Sequence, residues 1–204
     1  MKAMTISYEV GTNLYLNLTN QCPCACTFCI RNNGDGAYGS DPLWLEHEPT
    51  MDEIRADLSK RDIPAYSEII FCGFGEPTCR LDALVETAEW LKNTYGEQVK
   101  LRLNTNGLGD LVNGRPVAEE LCSVIDTISV SLNAGTEDEY MRVTRPRFEN
   151  AWDAMHKFTA DCVKTGKSQV VMSVVDVIPP EQIEASRQVA ESLGAVLRVR
   201  TYDE

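Results

Sequence analysis

Four cysteines within eight residues carry the clearest chemical signal in this sequence. They are Cys22, Cys24, Cys26 and Cys29, and four more are scattered along the chain, at Cys72, Cys79, Cys122 and Cys162. Thiolates are the usual ligands of iron–sulfur clusters, and closely spaced cysteines in one loop can surround a cluster. Zinc bound by the same four thiolates is the alternative, although zinc sites usually take ligands from two separate segments. The density of cysteines therefore predicts a metal site in this loop.

Three other short polar motifs follow predicted strands. Residues 73–78 read GFGEPT, residues 104–107 read NTNG, and residues 129–133 read SVSLN. Glycine lets a backbone approach a ligand closely, and α/β proteins place their binding sites at the carboxyl ends of strands. Each motif alone is also compatible with an ordinary turn. Their shared position at strand ends predicts one site beside the cysteine loop.

The elements expected around these motifs alternate along the chain. Strands are predicted over residues 6–10, 14–18, 68–72, 99–104, 127–133, 169–177 and 195–201. Helices are predicted over residues 50–60, 81–93, 117–124, 137–143, 149–164 and 180–192. Regular alternation implies parallel strands with right-handed crossovers. We therefore expect an α/β fold: a partial (βα)6 barrel of parallel strands, open on one side, with a short N-terminal β-hairpin arm.

This barrel is expected to be a single domain across residues 1–204, with residues 1–12 as the arm and residues 19–33 as the metal-binding loop. Successive side chains of a strand point to opposite faces. One face is apolar and should pack against helices: Leu14, Leu16, Leu18, Val99, Leu101, Leu103, Ile128, Val130, Leu132, Leu197 and Val199. The other is polar and partly cationic: Tyr15, Asn17, Lys100, Arg102, Asn104, Ser129, Ser131, Asn133, Arg198 and Arg200. A structural barrel interior is filled by Val, Ile and Leu, so the polar face predicts a binding cavity, with a water-exposed face as the alternative.

Charge and hydropathy exclude several classes of protein. The chain has 19 Lys and Arg against 31 Asp and Glu, a net charge of −12, so extended nucleic-acid binding is not expected. No run approaches the ~20 apolar residues of a membrane span. The N-terminus lacks an apolar signal segment, so we expect a cytoplasmic protein with no membrane association. In that reducing compartment, the cysteines favour metal binding or catalysis over disulfides.

Taken together, the motifs resemble the radical S-adenosylmethionine (SAM) superfamily. The spacing Cys22-x3-Cys26-x2-Cys29, with the aromatic Phe28 before the third cysteine, is similar to the signature of that family. Residues 73–78 resemble its GGEP-type turn, residues 104–107 the end of its third strand and residues 129–133 its fourth strand. The resemblance covers about residues 14–201. The short length, residues 17–20 and the Cys-Pro-Cys start are most similar to the small TatD-associated radical SAM proteins.

The resemblance implies two cofactors and assigns residues to them. Cys22, Cys26 and Cys29 would ligate a [4Fe-4S] cluster and act in catalysis through it, with SAM on the fourth iron and Cys24 beside the ligands. Contacts to SAM would come from Phe28, Gly73, Gly75, Glu76, Pro77, Asn104, Ser131, Asn133 and Arg142, with Arg145 as a second candidate for the SAM carboxylate. Substrate contacts would come from Asn17, Arg102, Arg198 and Arg200. The three arginines favour an anionic group on the substrate, whereas Lys100 is expected to pair with Glu68.

The implied reaction is reductive cleavage of SAM to methionine and a 5′-deoxyadenosyl radical, which abstracts hydrogen from an unidentified substrate. One alternative is an activase that installs a glycyl radical on a partner protein. Another is a non-catalytic module that binds zinc or an iron–sulfur cluster. A one-electron reductant such as flavodoxin or ferredoxin is an implied partner. Because six strands do not close a barrel, a partner protein or a dimer is expected to cover the open side.

Overall fold

The fold is a curved sheet with helices packed on its outer face, and the computed structural model describes residues 2–202. The strands are β1 (Lys2–Ala3), β2 (Ser7–Val10), β3 (Asn13–Leu16), β4 (Trp44–Leu45), β5 (Ile69–Phe71), β6 (Leu101–Thr105), β7 (Thr127–Ser131), β8 (Gln169–Val175) and β9 (Val196–Arg200). The helices are α1 (Met51–Leu58), α2 (Leu81–Tyr95), α3 (Gly109–Asn113), α4 (Ala118–Cys122), α5 (Glu137–Thr144), α6 (Ala151–Thr165) and α7 (Pro180–Ser192). Short 3-10 helices occur at Ile30–Asn32, Ile63–Ala65 and Pro77–Arg80. The helix α1 opens with the capping box of Thr50 and Glu53 that its sequence indicates.

Six parallel strands confirm the predicted α/β fold. The main sheet has the order β2-β3-β5-β6-β7-β8-β9. The first pair, β2 and β3, is antiparallel, and every later pair is parallel. Within residues 2–202, β2 and β9 do not pair with each other, so the barrel is open on one side, as predicted. Since all six parallel strands run the same way, their carboxyl ends meet at one rim.

Two small elements differ from the prediction. A two-stranded parallel pair joins β1 to β4, with Lys2 opposite Trp44 and Ala3 opposite Leu45. Helix α3 follows β6 and precedes the predicted helix at α4. A strand of two residues and a helix of five are too short to produce a hydrophobic period, so the sequence pattern did not indicate either of them.

The apolar face of the strands packs against the helices as predicted. Leu14, Leu103, Ile128 and Val130 are completely buried in the main core. The last strand is the exception, because β9 has a neighbouring strand on one side only. Val199 is 42% exposed, so the prediction that it packs against the helices is wrong.

A second, smaller apolar cluster lies beside the hairpin. It contains Tyr8, Ala37, Leu43 and Phe74, and the rings of Phe74 and Trp44 meet edge to face with centroids 5.0 Å apart. This packing holds the segment that follows the cysteine loop against the first strands of the sheet. No helix in the described part of the chain is both long and apolar enough to cross a membrane.

Candidate active site

The cysteine loop follows β3 and is fastened to the segment that ends α5. The Ala25 N–H donates to the carbonyl oxygen of Thr144 over 3.1 Å, and the Thr27 N–H donates to that of Val143 over 2.8 Å. Pro23 contributes on the same side, because its carbonyl oxygen accepts from the N–H of Arg147 at 2.9 Å. The loop has little regular structure of its own, and these contacts hold it at the rim of the barrel.

The four cysteines of the loop occupy one wall of a common cavity. Cys22, Cys26 and Cys29 are half-buried, whereas Cys24 is only 5% exposed. A hydrogen bond from the Cys24 thiol lowers the pKa of Cys22 and of Cys26 below the usual thiol range, since it stabilises their thiolates. The Asn106 amide nitrogen lies 3.7 Å from the Cys24 sulfur. Cys24 therefore lies close to two of the predicted ligands, and its sulfur accepts a hydrogen bond from the Asn106 amide.

This donor set fits a cluster better than a single metal ion. Within residues 2–202, no three His, Cys, Asp or Glu side chains converge as the ligands of one ion. Zinc needs four ligands around one point, whereas each cysteine of a [4Fe-4S] cluster binds a different iron. Three half-buried thiols that line one cavity, each able to bind one iron, match the second arrangement. Arg31 adds a charged donor, because its Nε lies 3.2 Å from the Cys29 sulfur.

The turn over residues 73–78 packs directly on the start of the cysteine loop. A Cβ at Gly75 would overlap the carbonyl oxygen of Thr19 and lie 2.7 Å from that of Gln21. The N–H of Glu76 donates to the same Gln21 oxygen over 2.7 Å. We predicted that glycine is needed here for the approach of a ligand, but these contacts show that it is needed for the approach of another backbone segment. Gly75 also lines the cavity, so its contact with SAM stays a prediction.

Glu76 is the most heavily hydrogen-bonded side chain of the site. It is 4% exposed. One carboxylate oxygen accepts from the Thr78 N–H at 3.1 Å, the Thr78 hydroxyl at 2.8 Å and the Thr105 hydroxyl at 2.7 Å. The other oxygen accepts from the Asn106 N–H at 2.7 Å. Burial raises the pKa of Glu76, and these four donors act against that rise. The carboxylate therefore joins the turn after β5 to the turn after β6.

Asn17 lies beneath the loop and outside the lining of the cavity. It is completely buried. Its amide nitrogen donates to the carbonyl oxygens of Leu43 at 2.8 Å and Thr5 at 3.2 Å, and its amide oxygen accepts from the Phe74 N–H at 3.3 Å. A Cβ at Gly73 would overlap that amide oxygen. Asn17 thus links three segments of backbone. It does not line the cavity, so the predicted substrate contact of Asn17 is not supported by its position.

The polar face of the strands surrounds a cavity of about 780 Å³. Eight of the residues predicted on that face line it: Tyr15, Arg102, Asn104, Ser129, Ser131, Asn133, Arg198 and Arg200. Phe28, Gly73 and Glu76 line it as well, as predicted for the SAM site. The sequence interpretation missed other lining residues, among them Tyr8, Arg31, Cys72, Ser173 and Tyr202. Ser173 could have been found, since it alternates with the apolar Met172 and Val174 along β8.

Two predicted ion-pair arrangements are wrong. Arg102, which was predicted to contact the substrate, binds Glu68 through two hydrogen bonds of 3.0 and 2.9 Å and so takes the acid that was predicted for Lys100. Lys100 instead lies 3.8 Å from Asp126. Lys100 and Arg102 are on the same face of their strand segment, and the longer, planar guanidinium matches the carboxylate of Glu68. This pairing removes Arg102 from the set of free cations in the cavity.

Two residues predicted to bind SAM lie outside the cavity lining. Arg142 is 67% exposed on α5 and pairs with Glu139. Pro77 is buried at the first position of its 3-10 helix, where its fixed φ suits the start of a helix. Arg145, the second candidate for the SAM carboxylate, lines a depression of about 620 Å³ together with Cys26 and Cys29. Of the two arginines, the structure brings Arg145 to the cysteines.

The open barrel of parallel strands carries a cysteine loop at its carboxyl rim, above a polar cavity. This is the arrangement of an α/β protein whose loop thiols could hold a metal centre. The profile of the Radical SAM superfamily matches residues 16–191, and the chain belongs to this superfamily. Members of the superfamily are enzymes that use a [4Fe-4S] cluster and SAM. The predicted family and cofactors are thereby confirmed, while the TatD-associated subgroup stays a prediction.

Among proteins of assigned function, the chain is similar to GTP 3′,8-cyclase from two strains of Corynebacterium glutamicum. The identities are 28% over 145 residues and 27% over 143 residues, and each match covers 67% of this chain. The chain spans about a third, 35%, of the length of these relatives.

Solved structures of the superfamily share the fold. A radical SAM methyltransferase from Sphaerobacter thermophilus superimposes with a TM-score of 0.58 at 18% identity, covering 96% of this chain and 57% of the other. HydG, a maturase of the [FeFe]-hydrogenase, superimposes with a TM-score of 0.66 at 15% identity, covering 94% and 43%. HydG from Carboxydothermus hydrogenoformans gives 0.61 at 15% identity, covering 95% and 44%. At these identities, the likeness establishes the barrel and leaves the reaction open.

Proposed function

We propose that this protein cleaves SAM reductively and uses the resulting radical to abstract hydrogen from a substrate held in its polar cavity. One observation carries the proposal: three half-buried thiols with the spacing of the superfamily line a polar cavity of about 780 Å³. A module that only binds a metal needs the thiols but not the cavity. The cavity is large enough for a cofactor and a small substrate to lie side by side.

When bound, the cluster and SAM would together supply the one-electron chemistry that abstracts hydrogen from the substrate. The chain's own residues hold and enclose the reactants. Cys22, Cys26 and Cys29 would hold the cluster, while Arg31 donates to the sulfur of Cys29 and moderates its negative charge. Such contacts around a metal ligand adjust the properties of the site more than they hold the metal.

The remaining lining residues of the rim would orient SAM. Asn104, Ser131 and Asn133 supply short polar side chains at the ends of β6 and β7, where a ribose could be hydrogen-bonded. Asn133 has a left-handed φ of 65°, which turns the chain at the rim immediately after β7. We assign the SAM carboxylate to Arg145 in place of Arg142, because Arg145 lies with Cys26 at the same depression.

Anaerobic reconstitution with iron and sulfide, followed by an assay of SAM cleavage with a one-electron reductant, tests the proposal. We expect a brown protein that releases 5′-deoxyadenosine. Alanine at Cys22, Cys26 or Cys29 should abolish the cluster spectrum and the cleavage, whereas Cys79→Ala, a matched cysteine outside the loop, should retain both. A colourless protein that binds zinc stoichiometrically, or a reconstituted cluster without any SAM cleavage, would support the non-catalytic module.

The broader setting of the enzyme is also part of the proposal. A flavodoxin or ferredoxin would supply the electron, and the small TatD-associated proteins are the proposed subgroup. A reducing cytoplasmic environment suits eight cysteines that are all free thiols. A glycyl-radical activase would need a partner protein at the open side of the barrel. Formation of a stable protein radical on such a partner would favour this alternative over a small-molecule substrate.

A further inference from the structure

We propose that Arg198 and Arg200 form an anion-binding subsite in the cavity, which takes a carboxylate or phosphate group of the substrate. The inference deepens the proposed function, on which it rests for the assumption that the cavity holds substrate. Both arginines lie on β9 and line the cavity. They are two residues apart on one strand, so their side chains leave the strand on the same face.

Arg200 provides the sharpest observation. Its Nε is buried and has no hydrogen-bond partner in the part of the chain that the structure describes. A buried donor that lacks an acceptor is costly, and more so when the group is charged. Arg200 lines the cavity, so an oxyanion there would satisfy the orphaned N–H. A guanidinium can bind a carboxylate or phosphate through two parallel hydrogen bonds, which Lys cannot do.

Arg198 extends the same surface to the neighbouring strand. It lies opposite Ser173 of β8. Both residues line the cavity, so one hydroxyl donor stands beside the guanidinium. The subsite therefore offers charged and neutral donors to one anionic group.

The acids of the cavity are already engaged elsewhere. Glu68 pairs with Arg102, and both oxygens of Glu76 accept hydrogen bonds from the protein. Within residues 2–202, no ion pair joins Arg198 or Arg200 to a carboxylate. In a protein with a net charge of −12, an exposed Arg198 and a half-buried Arg200 without acidic partners on one wall of a cavity form a local site for an anion.

This subsite is separate from the position predicted for SAM. The cysteine loop follows β3, and four strands lie between β3 and β9 in the sheet. The arginine assigned to the SAM carboxylate, Arg145, lies with the cysteines in the depression outside this wall. Anion binding at β9 is consequently expected to leave SAM binding unaffected.

Titration calorimetry of the 204-residue chain without its cluster tests the subsite, with pyrophosphate and succinate as probes at constant ionic strength. At least one probe should bind saturably, and the tighter one identifies the class of anion. Arg198→Gln and Arg200→Gln should each weaken binding about tenfold or more, the effect of losing a charge-assisted hydrogen bond. Arg142→Gln removes the same charge from the surface and should leave the affinity unchanged.

Thermal unfolding provides the second readout. Without added anion, the Arg200→Gln variant should be at least as stable as the wild type, because it removes a buried donor without a partner. The bound probe should raise the unfolding midpoint of the wild type only. Three results would overturn the proposal. They are no saturable binding of either probe, a loss of probe affinity in the Arg142→Gln control equal to that in the two cavity variants, or displacement of the probe by SAM. The last result would assign both arginines to the cofactor.

The two proposals fail separately. If the reconstituted protein does not cleave SAM but the anion still binds, the proposed reaction is contradicted and the subsite is still supported. Full SAM cleavage in a protein that binds neither probe contradicts the subsite alone.

Discussion

Replacement of Glu76 tests how the two central turns of the site are held together. We expect Glu76 to act mainly as a positioning residue, because protein donors already occupy both of its oxygens. Glu76→Ala should therefore destabilise the protein before any effect on SAM is considered. Binding of SAM should weaken too, since the turn that carries Asn106 borders the cysteine loop.

The magnitude follows from the donors that would lose their acceptor. The hydroxyls of Thr78 and Thr105 can rotate toward other acceptors, but the backbone N–H groups of Thr78 and Asn106 cannot. Both N–H groups are buried, and each unsatisfied donor costs about 1–3 kcal/mol, which gives roughly 2–6 kcal/mol together. Removal of the desolvated carboxylate acts in the opposite direction, so we expect Glu76→Ala to lower the free energy of unfolding by about 2–4 kcal/mol. Glu76→Gln keeps one oxygen and should lose about 1–3 kcal/mol.

Urea denaturation of the cluster-free protein, followed by tryptophan fluorescence, measures these losses. The control is Glu86→Gln, since Glu86 forms an exposed pair with Arg55 at 2.9 Å and should change stability by at most about 1 kcal/mol. Burial raises the pKa of Glu76 above the ordinary 4.5, so the folded state binds its proton more tightly than the unfolded chain. The stability of the wild type relative to Glu76→Gln should therefore be greatest below pH 4.5 and fall as the pH rises through the folded-state pKa. Wild-type stability in Glu76→Ala would refute this account of the turn.

Three further predictions follow from the same contacts. Gly75→Ala should lower both the unfolding midpoint and the iron content after reconstitution, because its Cβ would overlap backbone atoms. The control is Gly114→Ala, whose Cβ meets no neighbouring atom but whose φ of 65° is strained for alanine, so it should lower the unfolding midpoint only. Cys24→Ala should retain iron and sulfide and shift the reduction potential measured by spectroscopic titration, whereas loss of the cluster would make Cys24 a ligand. Arg102→Gln should cost about 1–3 kcal/mol in urea denaturation, since its partner Glu68 is left partly buried and unpaired. A double-mutant cycle with Glu68→Gln that shows no coupling would contradict the Arg102 prediction.

Some of the predicted positions failed for a common reason. The partner of Arg102 is 34 residues away, immediately before the adjacent strand β5, and no local period indicates which acid a strand arginine will meet. Arg142 was predicted to bind SAM because it follows SVSLN closely in the sequence. On α5, however, it pairs with Glu139 one helical turn earlier and is exposed to solvent. Both errors concern side-chain partners, and neither concerns the elements that carry the residues.

The amino-acid sequence by itself determined the kind of protein this is. The spacing of Cys22, Cys26 and Cys29, the alternation of polar and apolar residues in the strands, and the strand–helix order are local properties, so they can be read along the chain. They sufficed for the open parallel barrel, and the resemblance of the motifs to the radical SAM superfamily implied the cluster and SAM. The structure confirmed this fold, and the family match confirmed the cofactors.

Only the tertiary structure decided how the site is assembled. It assigned Glu76 to the Thr105–Asn106 turn, 29 and 30 residues away, and it left Arg200 with a buried donor and no acceptor. Whether a polar group is satisfied depends on every segment that folds against it, and those segments come from distant parts of the chain. Which donors of the cavity lack an acceptor is therefore decided by the folded protein. The proposed anion subsite depends on the same tertiary contacts.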